Sequence, residues 1–311
     1  MNRPAAQERA SDLTPDIFPS PMAAVALSLA GLFAASFVAS LALASPLMGP
    51  SSLMGAMGVG YAVGIGGVAT LAARRVPQPH QLRLGLQGFA PTLIGALICL
   101  LPALLLVSEI DNYWKLIMPV SPEFQELREE MEALMSNDSS FALAETATVA
   151  LGIVPIVEGF LFFGVILQGV VARLGRGRGL LVTAVLYSLV HFPASGAPGD
   201  ALIPLATWLI LGGLMGLARL ASGSILPPIL LAAAFSAIHL AADYGREAFP
   251  IPGFNAPGEH TPDLILLLSL LSVALGVKQL WGEALKQPIV IPVPAPAVSD
   301  QDDEEDTGFF F

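Results

Sequence analysis

The sequence predicts an all-α polytopic membrane helical bundle with about eight transmembrane helices. Three observations carry that reading. The 311 residues are 54% hydrophobic and only 13% charged, about half the charged share of an ordinary soluble domain. Apolar runs near the roughly 20 residues needed for a crossing recur along the whole chain. Lysine and arginine gather in alternate connections, as in a chain threaded back and forth through a bilayer.

The elements follow in order. A polar segment, 1–21, precedes the first apolar run and is read as cytoplasmic. That run, 22–48, is too long for a signal-peptide core of roughly 7–15 residues, so it reads as a retained helix. With 52–73 and 88–108 it makes three N-terminal spans over 22–108. Region 109–140 reads as extramembrane. Within it Ser121 can cap a helix that has Pro122 in its first position. Phe124, Leu127, Met131, Leu134 and Met135 would share one face, giving either an amphipathic helix on the non-cytoplasmic surface or an ordinary loop helix. Four apolar segments, 141–172, 179–193, 201–218 and 223–242, make a core over 141–242, and a last span covers 262–281. Segment 141–172 would run roughly 48 Å as one straight helix against a hydrocarbon core of about 30 Å, and Gly152 and Pro155 mark the expected break. Segment 179–193 is the shortest. The tail 287–311 is proline-rich, then acidic, and is expected to be disordered.

Charge sets orientation. Arg3 and Arg9 precede the first span; Arg74, Arg75 and Arg83 follow the second; Arg173, Arg176 and Arg178 follow the fourth; Arg219 follows the sixth and Lys286 the eighth. The other connections hold only Lys115, Arg128 and Arg246, each among acidic neighbours. An even number of spans with both termini cytoplasmic, in the cell (inner) membrane, satisfies this pattern. The net charge of −11 is concentrated in 123–138 and the tail DQDDEED, and no basic patch suggests a nucleic-acid partner. The single Cys99 allows no intrachain disulfide. No inverted repeat is visible, which disfavours a transporter.

The stretch PIVEGFLFFGVIL, residues 155–167, places Glu158 in a nearly unbroken apolar run. An ionisable group at membrane depth costs a few kcal/mol and usually faces a cavity or a partner. Measured at 1.5 Å per residue from the basic turn at 173–178, Glu158 lies roughly 22 Å in and His191 roughly 20 Å in on the following helix. On the helix over 223–242, Ser236 lies at roughly 21 Å and His239 at roughly 25 Å. Tyr187 and His191 share a face at spacing four, as do His239 and Asp243. Glu158, His191 and His239 could therefore form one polar layer, with Tyr187, Ser236 and Asp243 in support. A carboxylate in such surroundings can act as general base, and an imidazole can bind a metal or stabilise an oxyanion. Structural alternatives stand beside this: Glu158 as a hydrogen-bond anchor, His191 at a helix end facing interfacial water, His239 and Asp243 interfacial with Arg246, and Tyr187 as a packing aromatic.

These residues resemble the motifs of the CPBP family of intramembrane metalloproteases, the CAAX prenyl protease and bacteriocin-processing (Abi) group. The family pattern is Glu-Glu-x-x-x-Arg, Phe-x-x-x-His and His-x-x-x-Asn on three successive regions, and the resemblance covers about 141–242. In the first region Glu158 matches the first glutamate, Gly159 replaces the second and Phe163 replaces the arginine. In the second, Tyr187 stands for the phenylalanine and His191 matches. In the third, the run from Gly223 to Leu231 is similar, but Ala232 and Ser236 occupy the histidine and asparagine positions. His239-x-x-x-Asp243 has the shape of that motif seven residues late.

The resemblance implies an endopeptidase that hydrolyses a membrane-associated peptide or protein substrate in a lipid environment. Glu158 would activate water, and His191, with His239 as a displaced partner, would hold a divalent metal such as zinc or stabilise the intermediate. The incomplete motifs leave a second reading, a catalytically inactive pseudoprotease that binds or regulates another membrane protein.

Overall fold

The computed structural model describes residues 17–45, 53–118, 121–122, 125–126, 129, 140–192, 198–256 and 259–289. The predicted amphipathic face at Phe124, Leu127, Met131, Leu134 and Met135 lies outside the described residues, as do the N-terminal segment before 17 and the tail beyond 289.

Nine helices make up the described chain: α1 (Pro21–Ala44), α2 (Leu53–Ala73), α3 (His80–Leu84), α4 (Pro91–Ile117), α5 (Ser140–Leu174), α6 (Arg176–Val190), α7 (Pro198–Ser222), α8 (Leu226–Tyr244) and α9 (Asp263–Lys286). No strand occurs among the described residues; one isolated bridge joins Pro252 and Ala256. The all-α polytopic bundle is as expected. Seven of the nine helices are long and apolar enough to cross a bilayer. The expected span at 179–193 is the exception. It is the 15-residue α6, about 22 Å long and short of a full crossing.

Local chemistry explains the boundaries. The Ser20 side chain accepts from the Ala23 backbone N–H at 3.1 Å, and Pro21 fills the first position of α1, where no N–H is needed. The helix stops at Ala44 because Ser45 precedes Pro46 and takes the extended backbone that position favours. Helix α4 continues beyond residue 108 to Ile117. There buried Glu109 accepts from the Thr261 N–H at 3.0 Å and from Asn112 at 3.2 Å, and His260 Nδ1 lies 2.6 Å away. This ties the segment before α9 to the end of α4.

Helix α5 runs through the middle of the bundle. Leu161, Phe162, Phe163, Val165, Ile166 and Leu167 are all fully enclosed. The expected break at Gly152 and Pro155 is not a break. The helix widens into π-helical turns over Thr148–Ile153 and again over Gly159–Ile166, with one α-helical turn, Val154–Glu158, between them. Pro155 donates no N–H and crowds the carbonyl one turn back. A wider turn relieves that crowding without ending the helix.

Around α5 the helices close tightly where small residues permit. A Cβ on Gly60 would stand 2.5 Å from the Ala35 carbonyl oxygen, and one on Gly64 would overlap the backbone of Ala34 and Ala35. The Gly60-x-x-x-Gly64 spacing thus lets α1 and α2 touch backbone to backbone. Outside, Phe33, Phe37 and Leu41 of α1 and Leu264, Leu267, Leu268, Leu271 and Leu275 of α9 are exposed. An apolar face on that scale needs lipid rather than water around it.

Gly64→Val should lower the thermal midpoint of the detergent-purified protein, corresponding to about 1–3 kcal/mol of overpacking. Gly67→Ala, where nothing lies within 4 Å of the new methyl, should leave it unchanged or raise it, as a glycine-to-alanine change in a helix gains roughly 0.5–1 kcal/mol.

Candidate active site

The one α-helical turn between the two π-helical stretches of α5 ends at Glu158, whose side chain is almost wholly enclosed at 2% exposure. The Tyr187 hydroxyl donates to Glu158 Oε2 at 2.9 Å. His191 Nε2 lies 3.3 Å from Oε1, but out of line for a directed hydrogen bond, and Oε1 receives none among the described residues. Tyr187 and His191 stand one turn apart at the end of α6, so a single helix supplies both groups.

The tautomer follows from the backbone. His191 Nδ1 lies 2.9 Å from the Tyr187 carbonyl oxygen. A carbonyl only accepts, so Nδ1 carries the proton. In the neutral ring Nε2 is then a bare lone pair, facing an oxygen that is also lone-pair-rich when ionised. The contact is attractive when one proton lies between them, on the imidazolium or on the carboxylic acid. Glu158 and His191 are therefore a pair whose contact favours one shared proton.

Aromatic packing fixes the pair. The His191 ring stacks on Trp208 of α7 with centroids 4.0 Å apart and an interplanar angle of 23°. It also meets Tyr187 at 4.6 Å, and Tyr187 in turn sits edge-on to Phe162 at 5.2 Å. Gly212, one turn beyond Trp208, makes room: a Cβ there would stand 2.8 Å from Tyr187 Cδ1.

Glu158 forms part of the wall of a cavity of about 230 Å³. The other walls are Leu161 and Phe162 of α5, Val190 of α6, Ser28, Ala35 and Ser36 of α1, and Tyr61 of α2. Four polar side chains on an otherwise apolar wall give a water the two to four partners it needs.

The structure thus brings together Glu158, Tyr187 and His191. It does not bring His239 and Asp243 to them. Helix α8 carries His239 out to a site where its side chain is 70% exposed, with Nε2 3.5 Å from Asp243 Oδ2. Asp243 also meets Arg246 at 3.4 Å, so His239 and Asp243 form an exposed i,i+4 pair with Arg246 beside it. The displaced third motif is not assembled, because the added rise along α8 moves His239 past the buried layer. Ser236 is half-buried and joins neither member of the pair. Ala232 packs against the core.

Among the described residues no group of three histidine, cysteine, aspartate or glutamate side chains gathers here. Zinc takes three or four protein ligands. The donor set offered by Glu158 and His191 does not fit it, and His239 is not placed to complete it.

Two residues at the site were not singled out from sequence, Trp208 and Tyr61. Both had a faint signal. Trp208, Gly212 and Gly216 recur every four residues along α7, a stripe of small residues under one large ring. Tyr61 is a polar aromatic placed between Gly60 and Gly64 in mid-span. The motif positions that depart from the family pattern have other work. Gly159 faces α8 so closely that a Cβ would stand 2.5 Å from Ile229 Cγ1. Phe163 is enclosed, and its backbone carbonyl accepts from Arg219 Nε of α7 at 3.1 Å.

Comparison with known proteins agrees with the resemblance seen in the motifs. Residues 141–238 match the family model described as type II CAAX prenyl endopeptidase Rce1-like. The match covers α5 to α8 and includes Glu158, Tyr187 and His191. With the seven apolar helices, the match supports an integral membrane protein in a lipid environment, with a core similar to the CAAX-protease kind. Neither the curated proteins nor the solved structures give a match.

Tyr187→Phe keeps the ring but leaves Glu158 Oε2 without its donor. It should destabilise the purified protein by about 1–3 kcal/mol, read as a lowered thermal midpoint. The double variant Tyr187→Phe, Glu158→Leu should recover part of that loss, since no buried oxygen is then left unanswered.

Proposed function

We propose that the core hydrolyses an amide bond of a membrane-associated peptide with a water activated by Glu158 and with His191 as proton donor. One observation supports this above the others: a buried carboxylate on a cavity wall, with one oxygen anchored by Tyr187 and the other left without a directed donor beside an imidazole. A purely structural carboxylate would have both oxygens satisfied. Glu109 is such a case, with three donors around it.

The reactive form is the carboxylate with the imidazolium. Water gives one proton to Glu158 as its oxygen adds to the scissile carbonyl carbon. His191 Nε2 gives its proton to the departing amide nitrogen, and the C–N bond breaks. The proton on Glu158 then returns to His191 across the 3.3 Å contact, so the pair ends as it began. Tyr187 holds Glu158 in place, and Tyr61, which also lines the cavity, offers a hydroxyl to water or the developing oxyanion. Leu32, Ala35, Ala39, Met57 and Ile65 make the rest of the cavity apolar, which suits an apolar side chain of a substrate such as a prenylated peptide. The alternation of basic connections supports an orientation with both termini cytoplasmic, in the cell membrane, provided that the short α6 counts as a crossing beside the seven longer helices.

A second reading has its own supporting observation. At the second acidic position of the family pattern, Gly159 is filled by Ile229 with no space for a methyl. That position serves helix packing, as it would in a pseudoprotease that binds another membrane protein.

Glu158→Gln, reconstituted in lipid, should lower cleavage of a prenylated or transmembrane peptide by at least about 100-fold while leaving the thermal midpoint near that of the wild type. Treatment with a chelator should leave the wild-type rate unchanged. Equal rates for wild type and Glu158→Gln would overturn the peptidase reading. A partner captured equally by both proteins, with no turnover by either, would establish the scaffold.

A further inference from the structure

A second cavity, of about 200 Å³, opens at the end of the bundle where the basic connections lie. Three arginines line it: Arg83 from the end of α3, Arg176 from the start of α6 and Arg219 from the end of α7. Gln87, Gln168 and Gln287 add neutral polar groups, and among the described residues no aspartate or glutamate lines it.

Two of these arginines are enclosed, Arg83 at 4% and Arg219 at 8% exposure. Arg219 donates from Nε to the Phe163 carbonyl at 3.1 Å and from Nη2 to the Arg83 carbonyl at 2.9 Å. Arg176 donates to the Gln287 carbonyl. The contacts of Arg219 and Arg176 are to neutral oxygens; neither forms an ion pair with a carboxylate among the described residues. Carbonyl oxygens satisfy N–H groups without cancelling charge. A guanidinium taken out of water without a counter-charge costs several kcal/mol, and like charges brought to one cavity raise that cost. Arg219 is such a group, and Arg83 and Arg176 bring two further positive charges to the same cavity.

We propose that this cavity is a binding site for a phosphate-type oxyanion, the headgroup phosphate of an anionic phospholipid or free phosphate. Planar guanidinium groups match phosphate oxygens in pairs. The volume lies below the roughly 300–1,000 Å³ of sites for drug-sized ligands, so it takes a single small group. Leu82, half-exposed at the rim, and Leu220 and Ile289 give the same cavity an apolar side, which an acyl chain would cover. The site is separate from Glu158 and His191, neither of which lines it, and it does not depend on the peptidase reading.

The test uses the full chain. Protein purified in detergent is incubated with phosphatidylglycerol, phosphatidylcholine or inorganic phosphate, then read by native mass spectrometry and thermal unfolding. Arg176→Gln is compared with Arg178→Gln, an exposed arginine in the same segment that does not line the cavity. Retention of phosphatidylglycerol over phosphatidylcholine, weakened about tenfold by Arg176→Gln as the loss of one charge-assisted hydrogen bond would do and unaffected by Arg178→Gln, would establish the lipid as the ligand. A thermal shift with inorganic phosphate alone, carrying the same dependence on Arg176, would establish free phosphate. No preference for either anion, or equal effects of the two variants, would overturn the proposal.

Discussion

A carboxylate enclosed in a lipid-embedded bundle must be answered by donors, and among the described residues Glu158 is answered on one oxygen only. The Tyr187 hydroxyl takes Oε2, while Oε1 stands 3.3 Å from an imidazole without an aligned bond. Much of the surrounding architecture serves that arrangement. The proline at 155 widens α5 before the turn that ends at Glu158, and a second π-helical stretch follows it. The short helix α6 ends where Tyr187 and His191 come level with it. Trp208 and Gly212 on α7 clamp the two rings from behind.

The same economy appears in how the helices are joined. Buried backbone groups freed by irregular turns need partners, because lipid supplies none. Arg219 provides one for the Phe163 carbonyl within the π-helical stretch and one for the Arg83 carbonyl. At the other end of the bundle, Glu109 gathers Thr261, Asn112 and His260 and so holds the segment before α9. Glu109 and Glu158 are both enclosed carboxylates with a histidine beside them. Glu109 meets three polar partners and acts as a fastener; among the described residues Glu158 has an oxygen without a directed donor, the difference on which its proposed reactive role rests.

The motif departures also become intelligible. Gly159 and Phe163 stand where the resembled family carries charged residues, yet neither site is a vacancy. Gly159 lets α8 approach α5 through Ile229, and Phe163 fills the core next to Tyr187. Glu158, Tyr187 and His191 lie on α5 and α6, while α8 contributes packing.

The sequence by itself determined the class of the protein, because hydropathy and charge act locally. Apolar runs of the required length and alternating basic connections are properties of segments, and every expected span corresponds to a helix. Glu158, Tyr187 and His191 were also legible, since helical rise and a spacing of four convert directly into depth and face. What only the tertiary structure decided was relative placement between helices. Depth counted along a chain set His239 level enough to join the pair, but an axial estimate carries no information about which way a helix leans or where its end meets solvent, and α8 carries that residue out to Asp243. Pro155 was read as a break, whereas neighbouring packing lets α5 widen and continue. Tyr61, Trp208 and the three arginines around the second cavity come from segments far apart in sequence. Their meeting is a consequence of packing, which no local pattern encodes.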